Sequence, residues 1–161
     1  MHITLPISLV IAAVVMSAMA ASASLDQSIK QLPSRRKIGA IAYSNYSQVA
    51  DARNGLLWYV PLAGAWVVAI VAAAISGWSD HPGELRALAL AAMLVGVGAH
   101  ILVTGVFAAP ALLAQRRVAG NEQALERVFD RFERWQAVRA LIDIATLGAS
   151  VWALLATLTA G

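Results

Sequence analysis

The stretch that decides the fold is WQAVRALIDIATLGASVWALLAT, at residues 135–157. It is long and apolar enough for a membrane-spanning helix, which needs about 20 mostly apolar residues. It nevertheless contains Arg139 and Asp143, four residues and about one helical turn apart. Ionisable side chains at membrane depth are costly and normally face protein or water rather than lipid. We therefore expect this pair to point into a helical bundle.

The composition of the whole chain is that of a membrane protein. Of its 161 residues, 60% are hydrophobic and 13% are charged, whereas a soluble domain has about 25% charged residues. The absence of cysteine excludes disulfides, cysteine-ligated iron–sulfur clusters and thiolate catalysis. The net charge of +3 comes from basic residues beside apolar stretches, with no basic-aromatic platform, so we predict no nucleic-acid partner.

Four apolar stretches predict four membrane spans, at about residues 3–25, 55–76, 85–114 and 135–159. We expect residues 1–161 to form one all-α domain, an integral membrane four-helix bundle with amphipathic cytoplasmic connections. The first stretch has a rival interpretation as a cleaved signal peptide, because small residues such as Ala18 and Ala20 resemble a cleavage site. The absence of Lys and Arg before it, together with its length, favours a retained helix.

The positive charges predict the orientation. All of the 12 Lys and Arg residues except Arg86 lie in the first and third connections or at the start of the following helix. Such loops are normally cytoplasmic, so both termini are expected outside the cytoplasm. In the first connection, Ile38, Ile41 and Val49 recur at helical spacing. This pattern fits either an interfacial amphipathic helix or an extension of the second span. Pro110 should kink or end the third helix.

Asp143 and His100 are the two residues most relevant to chemistry. Asp143 can form a closed structural pair with Arg139, or it can act as a proton-handling carboxylate. His100 lies near the middle of the third span, one turn from Thr104. A lone buried histidine is usually a packing residue, but a histidine that faces Asp143 forms a couple able to move a proton.

The sequence contains no recognisable motif for binding a metal or a cofactor. His2, His81 and His100 lie on different segments, so no pair suits a bis-histidine haem. Zinc or di-iron sites need more ligands on facing helices than the spans supply. Phosphate-binding loops and nucleophile elbows are absent. We predict no metal and no cofactor.

Two stretches carry a family resemblance: TGVFAAPALLAQ at residues 104–115 and FERWQAVRALID at residues 132–143. With the basic first loop, they resemble the anthrone-oxygenase-like family of small bacterial membrane proteins. The matching positions are Pro110, Trp135 and Arg139. The chain departs from the family at Ala111 and Leu112, and its first helix lacks the family's glycine-rich opening. The resemblance implies a protein of the bacterial inner membrane.

The resemblance also implies cofactor-independent oxidation of a polycyclic phenolic substrate by dioxygen. In such a reaction a base deprotonates a carbon acid, and the resulting carbanion reduces oxygen. His100 or Asp143 would be the base, and Arg139 would stabilise the anion. The substrate-binding residues would be Trp58, Tyr59, Thr104 and Trp135. The alternative for the three aromatic residues is a role as anchors at the membrane interface.

Three classes of function remain open at this point. An enzyme predicts a cavity lined by His100, Arg139 and Asp143. A structural or accessory subunit, or a lipid-binding protein, predicts a dry bundle in which Arg139 and Asp143 close on each other. A transporter predicts a water-filled path reaching both sides. The partners expected are membrane lipid, a small hydrophobic substrate, and a second copy of the chain or a larger membrane complex.

Overall fold

The computed structural model describes residues 4–159. The sequence predicts a first span that begins at residue 3 and a domain that covers residues 1–161. Residues 1–3 and 160–161 of these predictions lie outside the described range. The described chain forms five helices. They are α1 (Leu5–Ile38), α2 (Ala40–Val49), α3 (Gly55–Ser79), α4 (Glu84–Val118) and α5 (Glu122–Thr159). Four of them, α1, α3, α4 and α5, are long and apolar enough to cross a membrane, and they pack as a bundle. The predicted all-α four-helix membrane bundle is confirmed.

Three π-helical turns interrupt the regular helices. Asp26–Gln31 lies within α1, Ala50–Asn54 joins α2 to α3, and Thr104–Ala108 lies within α4. Two of these turns precede a proline by a few residues, Pro33 in α1 and Pro110 in α4. Proline has no N–H to donate to the preceding turn, so the hydrogen-bonding pattern must shift there. In α4 the regular α-helix is interrupted after Val103 and resumes at Ala109–Leu113, so Pro110 lies just after an irregular turn rather than at the end of the helix.

Small side chains bring the helices together in the apolar half of the bundle. Val10 and Ala13 of α1 pack with Trp66 of α3 and Met93 of α4 in one buried core. The tightest approach is between α4 and α5 at Gly96, where an added Cβ would lie 2.1 Å from Thr146 Oγ1. A larger residue at Gly96 would therefore push α4 away from α5.

A second core lies at the basic end of the bundle. Its largest members are Leu32, Tyr43, Phe129 and Phe132, which are all buried. Tyr43 belongs to α2, so this helix packs against the extended ends of α1 and α5 and then continues into α3. Helix α2 leads into α3 through the π-helical turn Ala50–Asn54, with Tyr43 and Ser47 on its buried face. The choice between an interfacial helix and an extension of the second span stays a prediction.

Arg35 ties the basic ends of α1 and α5 together. Its side chain is only 1% exposed and forms ion pairs with Glu126, Asp130 and Glu133. The chain then turns at Gly39, whose φ of +86° is favourable for glycine. The next N–H, at Ala40, donates to Glu122 Oε1 at 2.7 Å. The corner between α1 and α2 is therefore fixed by the first turn of α5.

Candidate functional site

The polar stripe of α5 faces the inside of the bundle. Asp143 has no exposed surface, and the other buried polar residues of α5 are Gln136, Thr146, Ser150 and Thr157. The expectation that the ionisable position faces protein rather than lipid is confirmed for Asp143.

Asp143 is held by two helices at once. Its Oδ1 lies 2.6 Å from Nδ1 of His100 in α4, and its Oδ2 accepts a 2.5 Å hydrogen bond from Ser24 Oγ in α1. If Asp143 is a carboxylate, which only accepts hydrogen bonds, Nδ1 of His100 is the donor in this contact. The other ring nitrogen, Nε2, is then the basic one.

Arg139 does not pair with Asp143. Its Nη2 donates to Gln27 Oε1 at 2.9 Å, and its Nε is buried without a hydrogen-bond partner. Among residues 4–159, no carboxylate oxygen lies within 4.0 Å of its guanidinium. The closed Arg139–Asp143 pair, which the structural interpretation predicts, is not present.

A cavity of about 320 Å³ lies beside these residues. Each π-helical turn contributes one polar side chain to it: Gln27, Asp51 and Thr104. Because π-helical turns are frequent at functional sites, this convergence distinguishes the cavity from a packing defect. On α3 the cavity is bordered by Leu56 and Val60, which are 53% and 62% exposed, so part of its rim lies at the surface of the bundle. Its other lining residues are Ala20, Ala23, Ser24, Tyr59, Leu62, Ala63, Trp66, His100, Ala109, Leu112, Phe132 and Arg139.

The imidazole of His100 is held in place at the edge of this cavity. Its side chain is 14% exposed, and Trp66 packs against it edge to face with the ring centroids 4.9 Å apart. The indole N–H of Trp66 donates to Ser17 Oγ at 2.8 Å, and Ser17 hydrogen bonds to Ser150 at 3.1 Å. Asp143 and Trp66 together fix the ring, and no residue in the described part of the chain hydrogen bonds to Nε2.

The structure brings some of the predicted residues together and leaves others apart. Tyr59 and Thr104 line the cavity with His100 and Arg139. Asp143, which the enzyme interpretation also places in the lining, does not line it and lies behind His100. Trp58 does not line it and is 56% exposed. Trp135 stacks on Phe107 with ring centroids 4.0 Å apart and does not line it either. These two tryptophans occupy positions that suit the alternative interpretation, as anchors at the membrane interface.

Sequence reasoning missed Ser24, Gln27, Asp51 and Trp66. Asp51 lies in a basic connection that reads as surface, yet it is only 6% exposed and accepts a 2.8 Å hydrogen bond from Ser47. Burial raises the pKa of Asp51 above its ordinary value of 3.8, in spite of this bond and the charge of Arg139. The one available signal was the spacing of Ser17, Ser24 and Gln27, which places them on one face of α1.

Residues 4–159 contain no cluster of side chains suited to bind a metal ion. No three His, Cys, Asp or Glu side chains lie close enough together there to hold a metal ion.

The fold and the site together define a multi-pass membrane protein, a four-helix bundle with a mostly apolar cavity that contains a few polar side chains, between its candidate spans. Comparison of the chain with protein-family models, with curated proteins and with solved structures finds no match. The resemblance to the anthrone-oxygenase-like family therefore stays a prediction from the residues quoted above.

Proposed function

We propose that the protein is a cofactor-independent oxygenase of the anthrone-oxygenase-like type, acting on a hydrophobic aromatic carbon acid in the bacterial inner membrane. The observation that carries the proposal is the 2.6 Å contact between His100 Nδ1 and Asp143 Oδ1 beside a cavity. A histidine oriented by a carboxylate is a competent general base. Nε2 of His100 makes no hydrogen bond to the described part of the chain, so it is free to accept a proton from a substrate.

The roles of the three charged residues follow from their positions. His100 accepts the proton of the carbon acid on Nε2. Asp143 is a positioning residue, because it touches His100 and stabilises the imidazolium rather than touching the substrate. Arg139 lines the same cavity with a buried, unpartnered N–H, so it can stabilise the negative charge that develops on the substrate oxygen.

The reaction balances without a cofactor, with dioxygen as the oxidant. His100 removes a proton from an activated CH₂ group, and the carbanion adds to dioxygen to give a peroxide anion. The imidazolium returns its proton to give the hydroperoxide. Loss of water then leaves a carbonyl group, so that R₂CH₂ and O₂ become R₂C=O and H₂O. The protein contributes the base, the anion site and a cavity that excludes bulk water.

The rival class, a structural or accessory subunit, predicts a dry bundle closed by Arg139 and Asp143. The partners seen for these residues, Gln27 and His100, do not support it. The apolar walls of the cavity, such as Leu62 and Trp66, favour a flat hydrophobic substrate that reaches the site from the lipid.

Oxygen uptake tests the proposed function. Full-length protein in proteoliposomes is supplied with an anthrone, and oxygen consumption is measured together with formation of the corresponding ketone. We expect wild-type protein to exceed empty liposomes, and His100→Gln to lose about 100-fold or more of the enhancement. His81→Gln is the matched control, since His81 lies in the connection between α3 and α4, outside the cavity. Equal rates for wild-type protein and empty liposomes would refute the oxygenase.

A further inference from the structure

We infer that the cavity is also a binding site for a single-chain amphiphile with a carboxylate head group. The head group would contact Arg139, and the chain would leave through the side opening into lipid. This inference does not depend on the proposed reaction, because it follows from the buried N–H that Arg139 leaves without an acceptor.

Among residues 4–159, no carboxylate is bound directly to the guanidinium of Arg139. Its bond to Gln27 is to a neutral amide, its Nε–H is buried without an acceptor, and no carboxylate oxygen of residues 4–159 lies within 4.0 Å. Arginine stays charged in proteins. A buried charge is costly unless it is paired and hydrogen-bonded. An anion in the cavity that bonds to Arg139 would therefore offset part of the cost of burying its guanidinium.

The two acids nearest in the fold do not meet this need. Both oxygens of Asp143 are engaged, one by His100 and the other by Ser24. Asp51 lines the cavity, but its Oδ2 accepts the hydroxyl of Ser47, and burial raises the pKa of its carboxyl. Both acids attract Arg139 electrostatically, but neither accepts a hydrogen bond from it, so its Nε–H stays free for a ligand.

A second free polar atom of the cavity, besides Nε2 of His100, is able to donate. Thr104 Oγ1 is buried without a hydrogen-bond partner, and Thr104 lines the cavity with Arg139. A guanidinium and a hydroxyl suit a group that only accepts hydrogen bonds. A carboxylate is such a group, and its planar shape fits arginine in charge-assisted hydrogen bonds.

The apolar part of the cavity suits a hydrocarbon chain. Its walls include Ala20, Ala23 and Ala63, and the opening is bordered by the exposed Leu56 and Val60. At about 320 Å³ the cavity is at the small end of ligand sites. It holds the head group and the first part of a chain, and the rest of the chain extends into the surrounding lipid.

Binding of dodecanoate tests the inference against two matched ligands, dodecanol and dodecyl phosphate. Affinities are measured by native mass spectrometry on the full-length chain in a nonionic detergent. We expect dodecanoate to bind at least 10-fold more tightly than dodecanol, and also more tightly than dodecyl phosphate. Arg139→Gln should lose about 10- to 100-fold of the dodecanoate affinity, as expected for charge-assisted hydrogen bonds. The exposed Arg36→Gln should lose none.

A second variant covers the case in which Arg139→Gln does not fold. Ala63→Phe fills the cavity and leaves Arg139 in the chain, and it should also abolish dodecanoate binding. Equal affinity for dodecanol, tighter binding of dodecyl phosphate, or unchanged dodecanoate binding by Ala63→Phe would each overturn the inference. His100→Gln separates the two proposals, because it should keep dodecanoate binding while losing oxygen uptake.

Discussion

Arg139 and Asp143 lie one turn apart on α5 but bind different partners: Asp143 contacts His100 of α4, and Arg139 donates to Gln27 of α1. Both contacts lie at the same cavity, separated by a rise of about 6 Å along the helix. Nε2 of His100 and the guanidinium of Arg139, which no carboxylate of residues 4–159 contacts directly, therefore lie about one helical turn apart in depth. An intrahelical ion pair would have engaged the two side chains with each other, whereas this arrangement leaves the site a proton acceptor and an anion subsite.

The close approach of α4 and α5 at Gly96 predicts a large effect of one methyl group. Gly96→Ala places a Cβ about 2.1 Å from Thr146 Oγ1, so it should destabilise the fold by about 1–3 kcal/mol. Gly98→Ala is the matched control on the same helix, because nothing lies within 4 Å of its added Cβ. Thermal unfolding in detergent measures both variants. A neutral Gly96→Ala would contradict the described helix contact.

Arg35 and Arg36 are adjacent but should differ sharply. Arg35 is 1% exposed and has three acidic partners, whereas Arg36 is 63% exposed and pairs with Glu133 alone. Arg35→Met should cost about 3 kcal/mol by leaving these acids without their common partner. Arg36→Met should cost less than about 1 kcal/mol. Urea titration in detergent provides the comparison, and similar losses for the two variants would argue against the buried position of Arg35.

Much of this architecture follows from the sequence, for physical reasons. The apolar stretches give the spans, and the cost of ionisable groups in lipid places Asp143 inside the bundle. The contacts of Asp143 and Arg139 with α1 depend on the register between two helices over 100 residues apart in sequence, and no local pattern specifies it. The burial of Asp51 likewise depends on how α2 packs. The π-helical turn before Pro110 shows that the proline perturbs α4 without ending it.

Asp51 predicts a pH-dependent stability. Because burial raises the folded-state pKa of Asp51 above its ordinary 3.8, the folded protein binds a proton more tightly than the unfolded chain. This contribution is full below pH 3.8 and is lost as the pH rises through the folded-state pKa. Asp51→Asn has no carboxyl to lose this proton, so its stability does not fall in the same way. The unfolding temperature of Asp51→Asn should therefore rise relative to that of wild type as the pH increases from 4 to 7. A difference that is constant with pH, or that favours wild type at pH 7, would contradict the burial of this carboxyl.

The proposed orientation is testable because the chain contains no cysteine. Ser79→Cys lies at the end of α3, and Ala119→Cys lies between α4 and α5; both positions are exposed. If both termini are outside the cytoplasm, a membrane-impermeant maleimide should label the first variant in intact bacterial cells. The second should react only after the cells are permeabilised. The reverse labelling pattern would invert the orientation, and labelling of both from outside would exclude the four-span topology.

The central claim is that His100, oriented by Asp143, removes a proton from a carbon acid in the cavity. Its most direct measurement is exchange of the acidic hydrogen of an anthrone for solvent deuterium, without oxygen, in proteoliposomes containing the full chain. The account predicts that wild-type protein accelerates exchange about 100-fold or more over His100→Gln, with Asp143→Asn also impaired and His81→Gln unaffected. Equal exchange rates for wild-type protein and His100→Gln would contradict the claim.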